Sequence, residues 1–585
     1  MVRENLTDGA VGAIKEEIGG KEEQVRLCGV HVQEGCFVHS FEGGSLSFQV
    51  ERVPLGWVVR GTVEGRPGRL EVVRLPLRFP LLLHSWESWG ACPLVDEGWR
   101  FPWGERQYED WRYTVSPVPE LMREGVVSDY LVAWEHGMAG FLTSRYAHGF
   151  FTVEGEELVG YLEFFDREFE EPVPLEPLVV LEGARMWELL EGYATMAGRE
   201  NRARVPAYSP LGWCSWYHYF LDLTWDEVRK NLARAREWPF EVFQVDDAYE
   251  ADIGDWLEPR EGFPSVEEMA RVIKEAGFRP GIWTAPFCAS STSRVFREHP
   301  EWFVKEDGRP RVAFRNWDKD IHALDLSNPE VQDHLTGLFS SLRAVGYEYF
   351  KIDFLFAGAV PGERYLKVSP VEAYRMGLET IREAVGDAFI LGCGAPLLPS
   401  VGLVDGMRIG PDTTPFWDRS IPDNGAPAIR YALRNALHRA FMHRRFWLND
   451  PDCLLLRKER ISLSEEERRT FALTAGALDG MLVDSDDLAL VDEEGKALLH
   501  EALSLTGGRP HVRRCGEACY EVISEGTRSG MVRLLVNLSE EAKVVEGTTV
   551  PPHGTVLERE EQALGLSRRV EERDGRRFTY YHREE

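Results

Sequence analysis

Between residues 210 and 485, short apolar runs alternate with capped helical stretches about eight times. That alternation restricts the fold more than any other feature of the chain. Strands are expected near 211–217, 241–247, 279–284, 347–356, 388–391, 407–410, 445–448 and 481–483. Helices between them carry local start and stop signals. Thr224-Trp225-Asp226-Glu227 and Ser265 with Glu268 read as capping boxes. Asn328-Pro329 and Ser369-Pro370 open two further helices, and Gly277 and Gly346 stand where a helix must end. Helical stretches are also expected over 184–198 and 429–443, with a long insert over 285–325 that carries Trp302, Phe303 and Trp317. Eight strand–helix repeats predict a (β/α)8 barrel with a parallel sheet.

The flanking regions follow a different period. From about 26 to 190 short alternating runs recur at 25–32, 45–50, 57–63, 70–75, 131–136, 160–165 and 173–181, separated by Gly, Pro and charged turns. This predicts an N-terminal β-sandwich over 1–190. The barrel is expected over 200–504, and β patterning returns over 505–585 as a small C-terminal β-sandwich. The fold class is therefore multidomain, α/β plus all-β.

In a barrel of this kind the strand C-termini hold the site. The polar residues here collect at those ends: Trp216-Tyr217, Asp246-Asp247, Trp283, Lys351 and Asp353, Cys393, Arg408 and Asp412, and Asn449-Asp450 with Asp452. Each alone has a structural explanation. Lys351 and Asp353 share a strand face and form a plausible internal ion pair, and Asp450 and Asp452 suit caps. The coincidence over these strand ends points to a site. Several carboxylates, several Trp, one Lys and one Arg, without clustered histidines, suit glycoside hydrolysis, which uses two carboxyl groups across the scissile bond. Lys351 beside Asp353 is expected to keep that carboxylate ionised, and Asp412 is the better general acid.

Composition narrows the partners. With 97 Asp+Glu against 67 Lys+Arg, the chain carries a formal charge of −30, which disfavours nucleic acid and anionic membranes. No apolar run reaches the ~18 residues of a membrane span, and residues 1–25 contain no apolar stretch of the signal-peptide type. A cytoplasmic protein is expected. The nine cysteines are scattered and complete no zinc pattern, so reduced thiols and no metal are expected. The 18 Trp are mostly core, with some free to stack on sugar faces.

Five stretches taken in order, 212–217, 245–247, 351–353, 408–412 and 447–452, resemble the α-galactosidases of glycoside hydrolase family 36, in particular the shorter bacterial and thermophilic members. The resemblance is strong over about 205–490 and extends to the sandwich through Ser85–Gly90. It implies a retaining mechanism with Asp353 as nucleophile and Asp412 as acid/base. It assigns Asp246, Asp247, Trp283, Lys351, Cys393, Arg408 and Trp216 to sugar binding, together with Trp86 or Trp89. It implies an oligosaccharide substrate ending in α-galactose, such as melibiose or raffinose, no cofactor and, in many members, a homo-oligomer. Alternatives are a transglycosidase, an α-N-acetylgalactosaminidase, a non-catalytic sugar-binding protein, and a metal-dependent lyase with Asp246, Asp247 and Asp353 as ligands.

Overall fold

The computed structural model describes residues 16–18, 21–23, 26–27, 30–31, 34–104, 110–419, 423–559, 566–573 and 576–583. Part of the strand expected at 25–32, and most of 1–24, lies outside these residues.

Eight strands form one parallel sheet: β1 (Gly212–Cys214), β2 (Val242–Val245), β3 (Arg279–Thr284), β4 (Tyr349–Ile352), β5 (Phe389–Gly392), β6 (Gly406–Arg408), β7 (Leu448–Asp450) and β8 (Val483–Asp484). Their order is β7-β6-β5-β4-β3-β2-β1-β8. The sheet curls until β8 meets β7, where the Met481 N–H donates to the Asn449 carbonyl at 2.9 Å and the Leu454 N–H to the Val483 carbonyl at 2.7 Å. This is the expected barrel. Along β4 the side chains alternate as a strand requires. Tyr349 joins Val242, Phe389, Leu391, Leu448 and Met481 in a cluster at the barrel bottom. Phe350 faces the other way, against Phe339 of the helix Pro329–Val345. Lys351, two residues after Tyr349, shares its inward face.

The helix starts fall where the sequence implies, with the reciprocal capping box closed at Ser369 and the N-cap bond alone at Thr224 and Ser265. Thr224 and Ser265 accept the Glu227 and Glu268 N–H groups, and Ser369 and Glu372 cap reciprocally. Gly346 ends its helix with a φ of 113°, a conformation that costs glycine little.

The boundaries differ in several places. The first strand stops at Cys214, because the Ser215 hydroxyl turns to accept the Asp246 N–H at 2.8 Å and Trp216–Tyr219 forms a helical turn. The seventh strand starts at Leu448 rather than 445. The Arg444 N–H turns back onto the Trp447 carbonyl, holding 444–447 as a turn. The run at 173–181 is two strands, Phe169–Pro174 and Leu178–Glu182, split at Pro174 and Pro177, which offer no N–H to a ladder. The helix from Ile429 ends at His438 and gives way to a tighter turn at Ala440–Met442. Within the insert, Cys288–Ser290, Val312–Asn316 and Lys319–Ala323 form a small antiparallel sheet.

N-terminal to the barrel, two antiparallel sheets of nine and six described strands face each other. Phe141 of one meets Phe151 of the other at 5.3 Å between ring centroids. The helix Met186–Glu200 joins sandwich to barrel. Tyr193 donates to the Phe141 carbonyl at 2.6 Å, and Glu191 accepts from Arg445 at 2.6 Å. The loop 84–91 leaves the sandwich and reaches the barrel. Buried Arg439 donates to the Ser88 carbonyl and the Ser85 hydroxyl, each at 2.6 Å. C-terminal to the barrel, the strands Arg509–Gly516, Cys519–Thr527, Gly530–Asn537 and Thr555–Arg559 form an antiparallel sheet. A hairpin over 543–550 covers it through Val545 and Val550, packed on Leu535 and Cys519.

Candidate active site

The C-terminal ends of the barrel strands open into a cavity of about 610 Å³. Its wall includes Trp216, Asp246, Asp247, Trp283, Lys351, Asp353 and Asp412 from the barrel, with Trp89 from the sandwich loop. Seven of the expected site residues from the barrel thus meet in one place. Cys393 and Arg408 stand behind this wall, each in contact with a residue on it. Trp86 does not reach the cavity. It is buried in the sandwich, edge-on to His148. Of the two tryptophans on the loop, Trp89 is the one that faces the cavity.

Lys351 and Asp353 are organised differently from the sequence expectation. Lys351 Nζ lies 2.9 Å from Asp246 Oδ2, both side chains buried. The ion pair is therefore made across strands, between β4 and the end of β2, rather than along β4. Burial pulls the Lys351 ammonium down, but the Asp246 carboxylate and the other anions around it hold it well above its ordinary value. Asp246 also accepts from Gln244 and from the Cys214 thiol, the latter at 3.3 Å.

Asp353 lies just past the end of β4. Trp283 Nε1 donates to its Oδ2 at 3.0 Å, and the Phe354 N–H donates to Oδ1 at 2.8 Å. Burial raises its pKa above the ordinary carboxylate value, and Asp412 adds a smaller upward push. The Lys351 charge and the hydrogen bonds from Trp283 and Cys393 oppose that rise without cancelling it. Lys351 acts on Asp353 in the expected direction, towards the ionised form, and full burial opposes it more strongly.

Asp247 accepts from Trp317 Nε1 at 2.9 Å. Burial raises its pKa, in the presence of Glu250 close by. Trp317 sits with Asp318 at the tip of the hairpin between Val312–Asn316 and Lys319–Ala323, both residues at positive φ. The insert thereby places an indole into the cavity wall.

Arg408, fully buried, gathers three groups. Its Nη1 lies 2.9 Å from Asp452 Oδ1 and 3.3 Å from the Tyr217 hydroxyl, and its Nη2 bonds Asp412. Asp452 is itself held by the Thr413 N–H at 2.7 Å and by the Tyr217 hydroxyl at 2.5 Å. Asp412 differs from Asp353 in one respect that matters chemically: its side chain is 38% exposed, against a buried Asp353. One carboxyl group is enclosed and rigidly hydrogen-bonded; the other sits at the rim, open to water. Asp450 joins this network through the Asp452 N–H, which donates to its Oδ1 at 2.9 Å; burial and the Asp452 charge raise it to about 6.

Four participants fall outside the residues that the resemblance assigns to catalysis and sugar binding. Asp452, at a strand end where it also suits a cap, anchors Arg408; the Asp-x-Asp spacing with Asp450 is its signal. Tyr217, at a predicted strand end, contacts Arg408 and Asp452. Trp317 belongs to the insert, and only its Trp-Asp pair at a hairpin tip hinted at its position. Phe354, at a φ of 51°, packs between Trp89, Trp283 and Trp317. Among the described residues no group of three or more His, Cys, Asp or Glu side chains is disposed to hold a metal ion. The three carboxylates of the lyase alternative instead face separate donors: Lys351, Trp317 and Trp283.

The comparisons with known proteins agree with this geometry. The family model for the α-galactosidase N-terminal region matches residues 49–182, and the melibiase model matches 204–381. The α-galactosidase AgaA of Geobacillus stearothermophilus is 27% identical over 191 residues, 30% of this chain and 25% of that protein. α-Galactosidase 1 of Pediococcus pentosaceus is 24% identical over 190 residues, with the same coverage of 30% and 25%. The matches thus span about a quarter of these curated relatives' length. The solved structure of TtGalA, an α-galactosidase from Thermus thermophilus, is 29% identical with a TM-score of 0.68, covering 83% of this chain and 97% of that one. The AgaA structure shares the fold at 13% identity and a TM-score of 0.60, over 89% of this chain and 82% of that one. Family models on both sandwich and barrel, and a structural relative matched over nearly its whole length, lead to one conclusion: the chain belongs to the α-galactosidases of glycoside hydrolase family 36.

Proposed function

We propose that the chain is a retaining α-galactosidase, removing terminal α-linked galactose from oligosaccharides of the melibiose or raffinose type. The observation that carries this reading is the contrast between the enclosed Asp353 and the rim-exposed Asp412 in one cavity. TtGalA has been solved with p-nitrophenyl α-D-galactopyranoside and with stachyose, which supports the same substrate class here.

In this mechanism an Asp353 oxygen bonds to the anomeric carbon as the bond from that carbon to the leaving oxygen breaks. Asp412 gives its proton to that oxygen. A β-galactosyl ester of Asp353 results. Water then loses a proton to Asp412 and attacks the same carbon, freeing Asp353 and α-galactose. Two inversions give net retention; a carboxyl separation of ~5–5.5 Å is typical of retaining glycosidases. Asp246, Asp247 and Lys351 would bind sugar hydroxyls, with Trp89, Trp216 and Trp283 against the ring. Cys393 and Arg408 would act mainly from behind the wall. A cytoplasmic location suits the eight free cysteines among the described residues. Among those residues no helix is long and apolar enough to cross a membrane. A homo-oligomer is part of the same proposal.

Hydrolysis of p-nitrophenyl α-galactoside tests the reading. Turnover is expected, unchanged by a chelator. Cleavage of other α-glycosides but not of this one would contradict it, as would complete inhibition by the chelator. Transfer of galactose to an added sugar in preference to water would favour the transglycosidase alternative.

A further inference from the structure

The insert between β3 and β4 carries a hairpin with an unusual tip. Asn316 pairs with Lys319, so Trp317 and Asp318 alone make the turn. Their φ values are 51° and 56°, the signature of a type I′ turn, whose central places favour Asn and Gly. Asp tolerates that conformation through its short polar side chain, whereas a bulky residue is strained there. Strain of this kind persists only where the surroundings impose it, and it collects at functional sites.

What imposes it on Trp317 is a carboxylate of the cavity. The indole Nε1 donates to Asp247 Oδ2 at 2.9 Å. Its ring lies against Phe354, with centroids 5.0 Å apart, and beside Trp283 at 6.4 Å. Trp317 and Asp247 both line the cavity. Asp247 is only 4% exposed, a setting in which a hydrogen bond to a carboxylate is strong. The base of the hairpin is fastened to the same connection that carries Asp247. Further along that connection, Asp252 accepts from Lys319 Nζ at 2.8 Å, from the Ser290 hydroxyl at 2.7 Å and from the Thr292 hydroxyl at 2.6 Å. Arg315 and Asp320 pair across the two strands at 2.7 Å. The hairpin thus holds the connection after β2 at its tip and at its base.

We propose that Trp317 is a positioning residue: from the tip of the insert hairpin it fixes the Asp247 carboxylate for a hydroxyl of the galactose ring, and so sets the affinity of the site for the sugar. The inference rests on the reading of Asp247 as a sugar-binding carboxylate. Trp317 acts through Asp247 and not on the reacting carbon. Its loss therefore weakens the bound ground state and the transition state alike, which raises KM and leaves kcat in place.

The test uses galactose as a competitive inhibitor of p-nitrophenyl α-galactoside hydrolysis by wild type, Trp317→Phe, Asp247→Ala and the double variant Trp317→Phe/Asp247→Ala. Trp317→Phe keeps an aromatic ring at the tip and has no N–H to donate. It is expected to raise the galactose inhibition constant and to lower kcat/KM, each by ~10-fold, the scale of one hydrogen bond to a charged group, with kcat nearly unchanged. Asp247→Ala should raise the inhibition constant and lower kcat/KM at least as far. Adding Trp317→Phe to it should change kcat/KM no more. An inhibition constant unmoved in Trp317→Phe overturns the proposal; a lower urea midpoint in that same variant would then mark the indole as structural alone. An equal fall in kcat/KM from Trp317→Phe with and without Asp247 overturns it as well. An inhibition constant unmoved by Asp247→Ala would instead strike the reading of Asp247 on which the inference rests, and absence of turnover by wild type would strike the activity itself.

Discussion

Asp353→Ala is expected to lower kcat on p-nitrophenyl α-galactoside by ~10⁴-fold or more, the scale on which nucleophile removal acts in other enzymes. No neighbour can replace it. Asp246 is committed to Lys351 and Asp247 to Trp317, and Asp412 lies at the rim. The alanine variant leaves room in the place of the carboxylate, next to the Trp283 and Phe354 donors. Azide should enter that space and restore turnover of the activated substrate, releasing β-galactosyl azide by a single inversion. Measurement of kcat with and without azide, with the azide product identified by NMR, checks both parts. Turnover surviving in Asp353→Ala would move the nucleophile to another residue. Rescue giving the α-azide would contradict the proposed geometry.

Arg408→Met has the second large effect, and it acts on two quantities together. The guanidinium is buried between Asp452 and Asp412 and also touches Tyr217. Its loss leaves Asp452 as a buried carboxylate without a cation. Breaking such a pair on one side costs about 3–5 kcal/mol of stability, readable as a lower midpoint in urea. Asp452→Asn placed on the Arg408→Met background removes the stranded charge and should recover part of that loss. Activity should not recover with it. Asp412 is held at the rim by Arg408, and misplacing a catalytic group by ~1 Å can cost ~10²-fold in rate. Equal recovery of stability and kcat in the double variant would mean that Arg408 matters for folding alone.

These two predictions draw on parts of the molecule that the sequence exposed to different degrees. Asp353 and Asp412 were visible because they follow strands whose apolar runs are punctuated by capped helices. Thr224, Ser265, Ser369 and Gly346 act locally, and local signals survive in the sequence. The ends of those strands had to lie together once the sheet closed. What the sequence concealed is how neighbouring strands meet. Lys351 and Asp353 share a strand face, which suggests a pair. The stagger of β4 against β3 and β2 instead sets Lys351 against Asp246, 105 residues away in the chain. Burial then raises Asp353, an effect that depends on the enclosed three-dimensional site. Trp317 was hidden for a similar reason: the long insert folds into a hairpin whose tip enters the cavity. Trp86 and Trp89 are equivalent as letters, and only the course of the loop turns one into the sandwich and the other toward Asp353.

Retention by two displacements at one anomeric carbon is the core of the proposed mechanism. The most direct measurement is the anomeric form of galactose first released from an α-galactoside, followed by proton NMR before mutarotation equalises the anomers. The mechanism predicts that α-galactose appears first and β-galactose grows in only at the rate of mutarotation. β-Galactose appearing first would show a single inverting displacement and contradict the nucleophilic role of Asp353.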